Sequence, residues 1–110
     1  MRRLLPNLEQ EEHDMLVLVC YDVNTETKEG RRRLSRVARA CKDFGYRVQK
    51  SIFECLVGEA DWVRLNHRLL SEYDQKSDSL LFYFLDEEAR KKKEHHGIGI
   101  PVDPEGPLVV

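Results

Sequence analysis

Met15-Leu16-Val17-Leu18-Val19-Cys20-Tyr21-Asp22 is the stretch on which the fold turns. It is apolar, rich in β-branched residues and free of polar alternation, so it reads as a central strand buried on both faces. It ends on a carboxylate, Asp22. The polar loop Asn24-Thr25-Glu26-Thr27 follows, with Thr25 or Thr27 available to cap a helix. From Lys28 to Phe44, Leu34, Val37, Ala38 and Cys41 recur at helical spacing, which predicts a helix packed on the sheet with Arg32, Arg36 and Arg39 facing outward. Gly45 stands where a helix commonly ends on a left-handed glycine.

Tyr46 to Val57 alternates like a strand, but the phase changes near Lys50-Ser51, so two short antiparallel strands joined by a tight turn or bulge are expected. Gly58 to Asp61 forms a turn and cap for a second amphipathic helix, whose apolar positions are Trp62, Leu65, Leu69 and Leu70 and which runs to about Tyr73. Asp78 to Leu85 is a further apolar strand. The order strand, helix, strand, strand, helix, strand is the split βαβ arrangement, so the fold class is α+β, ferredoxin-like βαββαβ. Two helices cover only one sheet face. With 41% hydrophobic residues and no further helix, a homodimer packed sheet to sheet is the simplest cover for the other.

The tail, 86–110, opens with the charge run Arg90 to Glu94 and closes on Pro107-Leu108-Val109-Val110. This apolar end is expected to add a C-terminal strand, either to its own sheet or, the favoured reading, to the partner's. Residues 1–14 are polar and patternless and read as an extension preceding a domain of 15–110.

A chain of 110 residues supports one domain with a modest core. The net charge of -2 conceals an asymmetry: Arg31, Arg32, Arg33, Arg36, Arg39, Lys42, Arg47 and Lys50 face a single acid, Asp43, over that span. Cys20, Cys41 and Cys55 are odd in number and lack the spacing of a zinc or redox motif, which points to a reduced, cytoplasmic protein. No window is apolar enough to span a bilayer and no signal peptide is evident, so no membrane partner is expected. His95 and His96 are adjacent, without a cluster of other ligands, and make a poor zinc site. His13 and His67 are isolated, and no catalytic triad, P-loop or dinucleotide fingerprint is present. Lys91-Lys92-Lys93 reads as a solvated run able to extend a nucleic-acid track.

A carboxylate ending a buried strand and facing guanidinium groups suits metal-dependent phosphodiester chemistry or a nucleic-acid clamp. The plainer alternative has Asp22 capping the next turn through an Asx-type hydrogen bond. The arginines would then be a solvated helix face neutralised by acids such as Glu59 or Asp61. Phe53 is open to stacking at the site or to burial in the core. Ser51 is open to binding phosphate or metal-held water, or to satisfying backbone at the strand break.

Three separated pieces together resemble the CRISPR-associated protein 2 family: Tyr21-Asp22-Val23, Arg31-Arg32-Arg33, and the block Gly45-Tyr46-Arg47-Val48-Gln49-Lys50-Ser51-Ile52-Phe53-Glu54-Cys55. The resemblance covers Met15 to about Leu85 and extends to Pro107-Leu108-Val109-Val110, with Arg47 to Phe53 the most specific part. It implies a homodimer acting in CRISPR adaptation beside the CRISPR-associated protein 1 integrase. It also implies magnesium-dependent endonuclease activity on single-stranded RNA or duplex DNA. Asp22 matches the aspartate that holds the metal. Tyr21, Arg31, Arg33, Arg47, Ser51 and Phe53 match the other site positions. Thr27, Lys28, Glu29 and Gly30 lengthen the path between Asp22 and the arginines, so Arg31, Arg32 and Arg33 are not assigned one by one. One carboxylate is too little for Mg2+, but a twofold axis bringing two Asp22 side chains together supplies two, with waters and phosphate oxygens completing the octahedron. A non-catalytic DNA-binding scaffold for the integrase is the alternative, and a metabolite-binding regulatory domain the more distant one.

Overall fold

The computed structural model describes residues 15–98; the extension of 1–14 and the expected C-terminal strand lie outside the described residues. Strand β1 (Met15–Asp22) leads into helix α1 (Lys28–Lys42), strands β2 (Gly45–Gln49) and β3 (Ile52–Val57), helix α2 (Glu59–Glu72) and strand β4 (Ser79–Leu85). The strands form one antiparallel sheet in the order β2-β3-β1-β4, the ferredoxin-like α+β arrangement expected from the element order.

Local chemistry explains the element ends. The Thr27 hydroxyl caps α1 by accepting from the Gly30 N–H at 2.9 Å. The strand pair β2-β3 has a register irregularity between Arg47 and Gln49, close to the phase change in the sequence. Gly45 departs from expectation, because α1 ends with Asp43 as its C-cap and Gly45 has no positive φ. It begins β2 instead, where a Cβ would strike the Glu54 carbonyl oxygen and approach Cys55 Sγ to 2.7 Å. Close strand approach, rather than a left-handed turn, excludes a side chain there.

The core lies between one sheet face and the two helices: Val17, Val19 and Tyr21 from β1, Phe53, Cys55 and Val57 from β3, Val37, Ala40 and Cys41 from α1, and Leu65 and Leu69 from α2. Two expected helix positions shift. Ala40 is buried in α1 while Ala38 is only half-buried, and Leu70 of α2 is 49% exposed because the inward stripe runs through Trp62, Leu65 and Leu69. Trp62 packs edge-on against Phe82 and Phe84 of β4, with ring centroids 5.0 and 5.1 Å apart.

By strand alternation the opposite face carries Leu16, Leu18, Cys20 and Asp22 of β1, Ile52, Glu54 and Leu56 of β3, and Leu81, Tyr83 and Leu85 of β4. This face is partly covered, contrary to the expectation of no further helix. A 3-10 helix, Glu87–Lys92, lies against β1, and Lys93 Nζ donates to both oxygens of the buried Glu54 at 3.0 and 2.9 Å. Lys93 is therefore not part of a solvated run, although Lys91 and Lys92 are exposed. Leu16 is buried on this face, whereas Leu81 and Tyr83 nearer Asp22 remain 48% and 51% exposed.

Candidate nucleic-acid site

Asp22 ends β1, paired in register with Ser79 of β4, and its side chain is exposed on the open sheet face. It caps nothing among the described residues. The Asx turn after β1 is made by Asn24, whose Oδ1 accepts from the Glu26 N–H at 2.8 Å. That leaves the Asp22 carboxylate free for a cation or a second copy.

The other face of the same strand end holds a second group. The rings of Tyr21 and Phe53 stack with centroids 6.2 Å apart, and the Arg47 guanidinium lies 5.3 Å from the Phe53 centroid. Burial raises the Tyr21 phenol pKa, and the neighbouring Arg47 opposes that rise through its charge and a hydrogen bond. The phenol itself donates to the Lys50 carbonyl at 3.4 Å, and the Ser51 carbonyl accepts from the Tyr21 N–H at 3.0 Å. Phe53 is fully buried, so it is a core residue and has no face to offer a base. Strand alternation thus places Asp22 on one sheet face and Tyr21, Phe53 and Arg47 on the other. Within one chain the structure does not gather the expected residues into a single cluster.

The arginines divide by partner. Arg33 makes a bidentate ion pair with Asp78, Nε to Oδ2 at 2.8 Å and Nη2 to Oδ1 at 3.2 Å, and only 12% of its side chain is exposed. The hydrogen bonds from Arg33 hold the Asp78 carboxyl down to about 2, with the Asp74 and Asn24 backbone N–H groups helping against the opposing effect of burial. Arg36 pairs with Glu72 and Glu29, and Arg68 with Asp43. Arg31 donates to the Thr25 carbonyl at 3.0 Å and stays exposed. Arg31, Arg32, Arg39 and Arg47 make no ion pair within the described residues, and they form the uncompensated part of the basic surface. The acids that neutralise α1 are Asp78, Glu72 and Glu29; Asp61 instead pairs with Arg64.

The donor set bears on a metal. No group of three His, Cys, Asp or Glu side chains converges among the described residues. Asp22 supplies one hard oxygen ligand, which fits Mg2+ only if a second carboxylate comes from another copy. The thiols are no substitute: burial pushes Cys41 up to about 12 and raises Cys55 as well, keeping both protonated in the core. His96 lies 3.8 Å from Glu94 on the surface and gathers no ligand set. Asp78 is the residue that sequence reading missed. It looks like an ordinary polar residue before an apolar strand, and its partners are remote in the chain.

The strand order and paired helices define the ferredoxin-like class of α+β domains, here with an exposed carboxylate at the end of a central strand. The chain belongs to the family described as CRISPR associated protein Cas2, whose family model matches residues 15–93. The CRISPR-associated endoribonuclease Cas2 of Nitratidesulfovibrio vulgaris is 54% identical over 96 residues, covering 87% of this chain and 94% of the relative. That of Chlorobaculum tepidum is 55% identical over 96 residues, covering 87% of this chain and all (100%) of the relative. The crystal structure of Streptococcus pyogenes Cas2 at pH 6.5 superposes with a TM-score of 0.68 at 50% identity, covering 74% of this chain and 99% of that one. No helix among the described residues is long and apolar enough to cross a membrane.

Proposed function

We propose that this chain is a metal-dependent endonuclease of CRISPR adaptation, acting as a homodimer on phosphodiester bonds of single-stranded RNA or duplex DNA and working beside the CRISPR-associated protein 1 integrase. One observation carries the reading: an exposed, unengaged Asp22 shares its sheet face with the exposed apolar side chains Leu81 and Tyr83. A second copy covering those side chains across a twofold axis would approach at the face that bears Asp22. The endoribonuclease names of the relatives support the activity.

In this reading Asp22 and its counterpart in the second copy would hold Mg2+, which when bound would supply positive charge near a phosphate and acidify a water. Arg31, Arg32 and Arg47, permanently charged and without an acidic partner among the described residues, hold the nucleic-acid backbone by its phosphates. Tyr21, packed on Phe53, ties the end of β1 to the β2-β3 turn, its phenol donating to the Lys50 carbonyl and its backbone N–H to the Ser51 carbonyl, so Tyr21 and Ser51 orient Asp22 from the opposite sheet face.

One observation favours a non-catalytic DNA scaffold: no group of three His, Cys, Asp or Glu side chains converges around Asp22 or elsewhere among the described residues. Cleavage of labelled single-stranded RNA and duplex DNA by wild type and Asp22→Asn, with magnesium and with chelator, decides between the two. The nuclease reading expects magnesium-dependent cleavage that falls at least about 100-fold in the variant. Absence of cleavage by both proteins, with binding intact, establishes the scaffold.

A further inference from the structure

We propose that Asp78 and Arg33 are positioning residues for Asp22, and that Arg33 serves this pair instead of clamping phosphate. The inference rests on the reading of Asp22 as the reactive carboxylate. The Asp78 side chain is shielded from solvent although the residue is only half-buried, and its carboxylate accepts four hydrogen bonds from three segments. Oδ1 receives the Asn24 N–H at 3.0 Å and Arg33 Nη2 at 3.2 Å, while Oδ2 receives Arg33 Nε at 2.8 Å and the Asp74 N–H at 2.9 Å. Four is the full accepting capacity of a carboxylate, so none remains for a metal or a substrate.

The connections surround Asp22. Asn24 is two residues beyond it, and Asp78 immediately precedes Ser79, its register partner in β4. The carboxylate therefore bolts both the chain leaving Asp22 and the start of the neighbouring strand to α1. Gly30 closes the other side, because α1 approaches Asn24 so tightly that a Cβ at Gly30 would drive into the Asn24 carbonyl oxygen. Whatever net stability the shielded ion pair adds, its four hydrogen bonds hold one arrangement of the three segments. The segment fixed is the one that carries Asp22. With its fork spent on Asp78 and little of its side chain exposed, Arg33 is poorly disposed to meet a phosphate.

The test compares wild type, Arg33→Ala, Arg33→Lys, Asp78→Asn and the double variant R33A/D78N, each checked for folding by circular dichroism, in magnesium-dependent RNA cleavage and in RNA binding across 50 to 200 mM salt. Positioning predicts a kcat lower by about 10- to 100-fold with KM and salt slope unchanged. The double variant should be no worse than the worse single one. Arg33→Lys, which keeps the charge and loses the fork, should recover part of kcat and should fold if Arg33→Ala does not. Weaker RNA binding with a salt slope reduced by about one in Arg33→Ala or Arg33→Lys would make Arg33 a phosphate contact and overturn the proposal. So would unchanged kcat in folded Asp78→Asn. Failure of the underlying reading looks different: wild type itself does not cleave, or Asp22→Asn cleaves as wild type does, whatever the Arg33 variants do.

Discussion

At the scale of single residues, burial separates the side chains that hold the site from those that face solvent. Phe53 is fully buried under Arg47 and against Tyr21, so Phe53→Ala should destabilise the fold by about 3–5 kcal/mol in denaturant titration. Nucleic-acid affinity, measured under conditions where the variant is still folded, should change little. Asp78 predicts an acid sensitivity. Its folded carboxyl, held at about 2, lies below the usual carboxylate value, so the stability it contributes is present above about pH 4 and is lost as the pH falls toward 2. Melting temperatures from pH 7 to 2 should fall more steeply for wild type than for Asp78→Asn through that window. Asp22 shows the limit of reading single residues. Its identity suggests a ligand or a cap equally well, and only the Asx turn at Asn24 removes the second role.

At the scale of elements, α1 carries two arginine populations that sequence spacing cannot distinguish. Arg33 and Arg36 meet acids from the α2-β4 turn and from α2, whereas Arg32 and Arg39 remain exposed and without ion pairs among the described residues. If Arg32 contacts phosphate, Arg32→Ala should lower nucleic-acid affinity almost uniformly across sequences and reduce the slope of log affinity against log salt by about one. Arg36→Ala should leave that slope unchanged, and fluorescence anisotropy at several salt concentrations reads both. The existence and order of the elements were legible because the apolar run of β1, the helical spacing of Val37 and Cys41 and the phase break near Lys50 are local signals. Leu70 and Gly45 were misread for a matching reason. Which side of a helix turns inward at its last turn, and how closely two strands approach, are set by neighbours distant in sequence.

At the scale of the whole molecule, the sheet has one face covered by helices and another that, among the described residues, is covered only at the end where the 3-10 helix and Lys93 sit. On the proposed two-copy site, introducing a charge into the uncovered end, as in Leu81→Arg, should convert a wild-type dimer into a folded monomer, read by light scattering on a sizing column, and cleavage should be lost with the dimer. A wild-type monomer that cleaves would refute the two-copy site. The sequence by itself determined the α+β order, the strand that ends on Asp22 and the concentration of basic charge on α1, because hydrophobic periodicity and local composition record them directly. Tertiary structure alone decided that Arg33 is spent on Asp78, that Phe53 belongs to the core and that Lys93 pins the tail to Glu54. It also set Asp22 and Arg47 on opposite sheet faces. Each of these depends on contacts between segments far apart in the chain, and pairing between remote charges leaves no periodic trace in a single sequence.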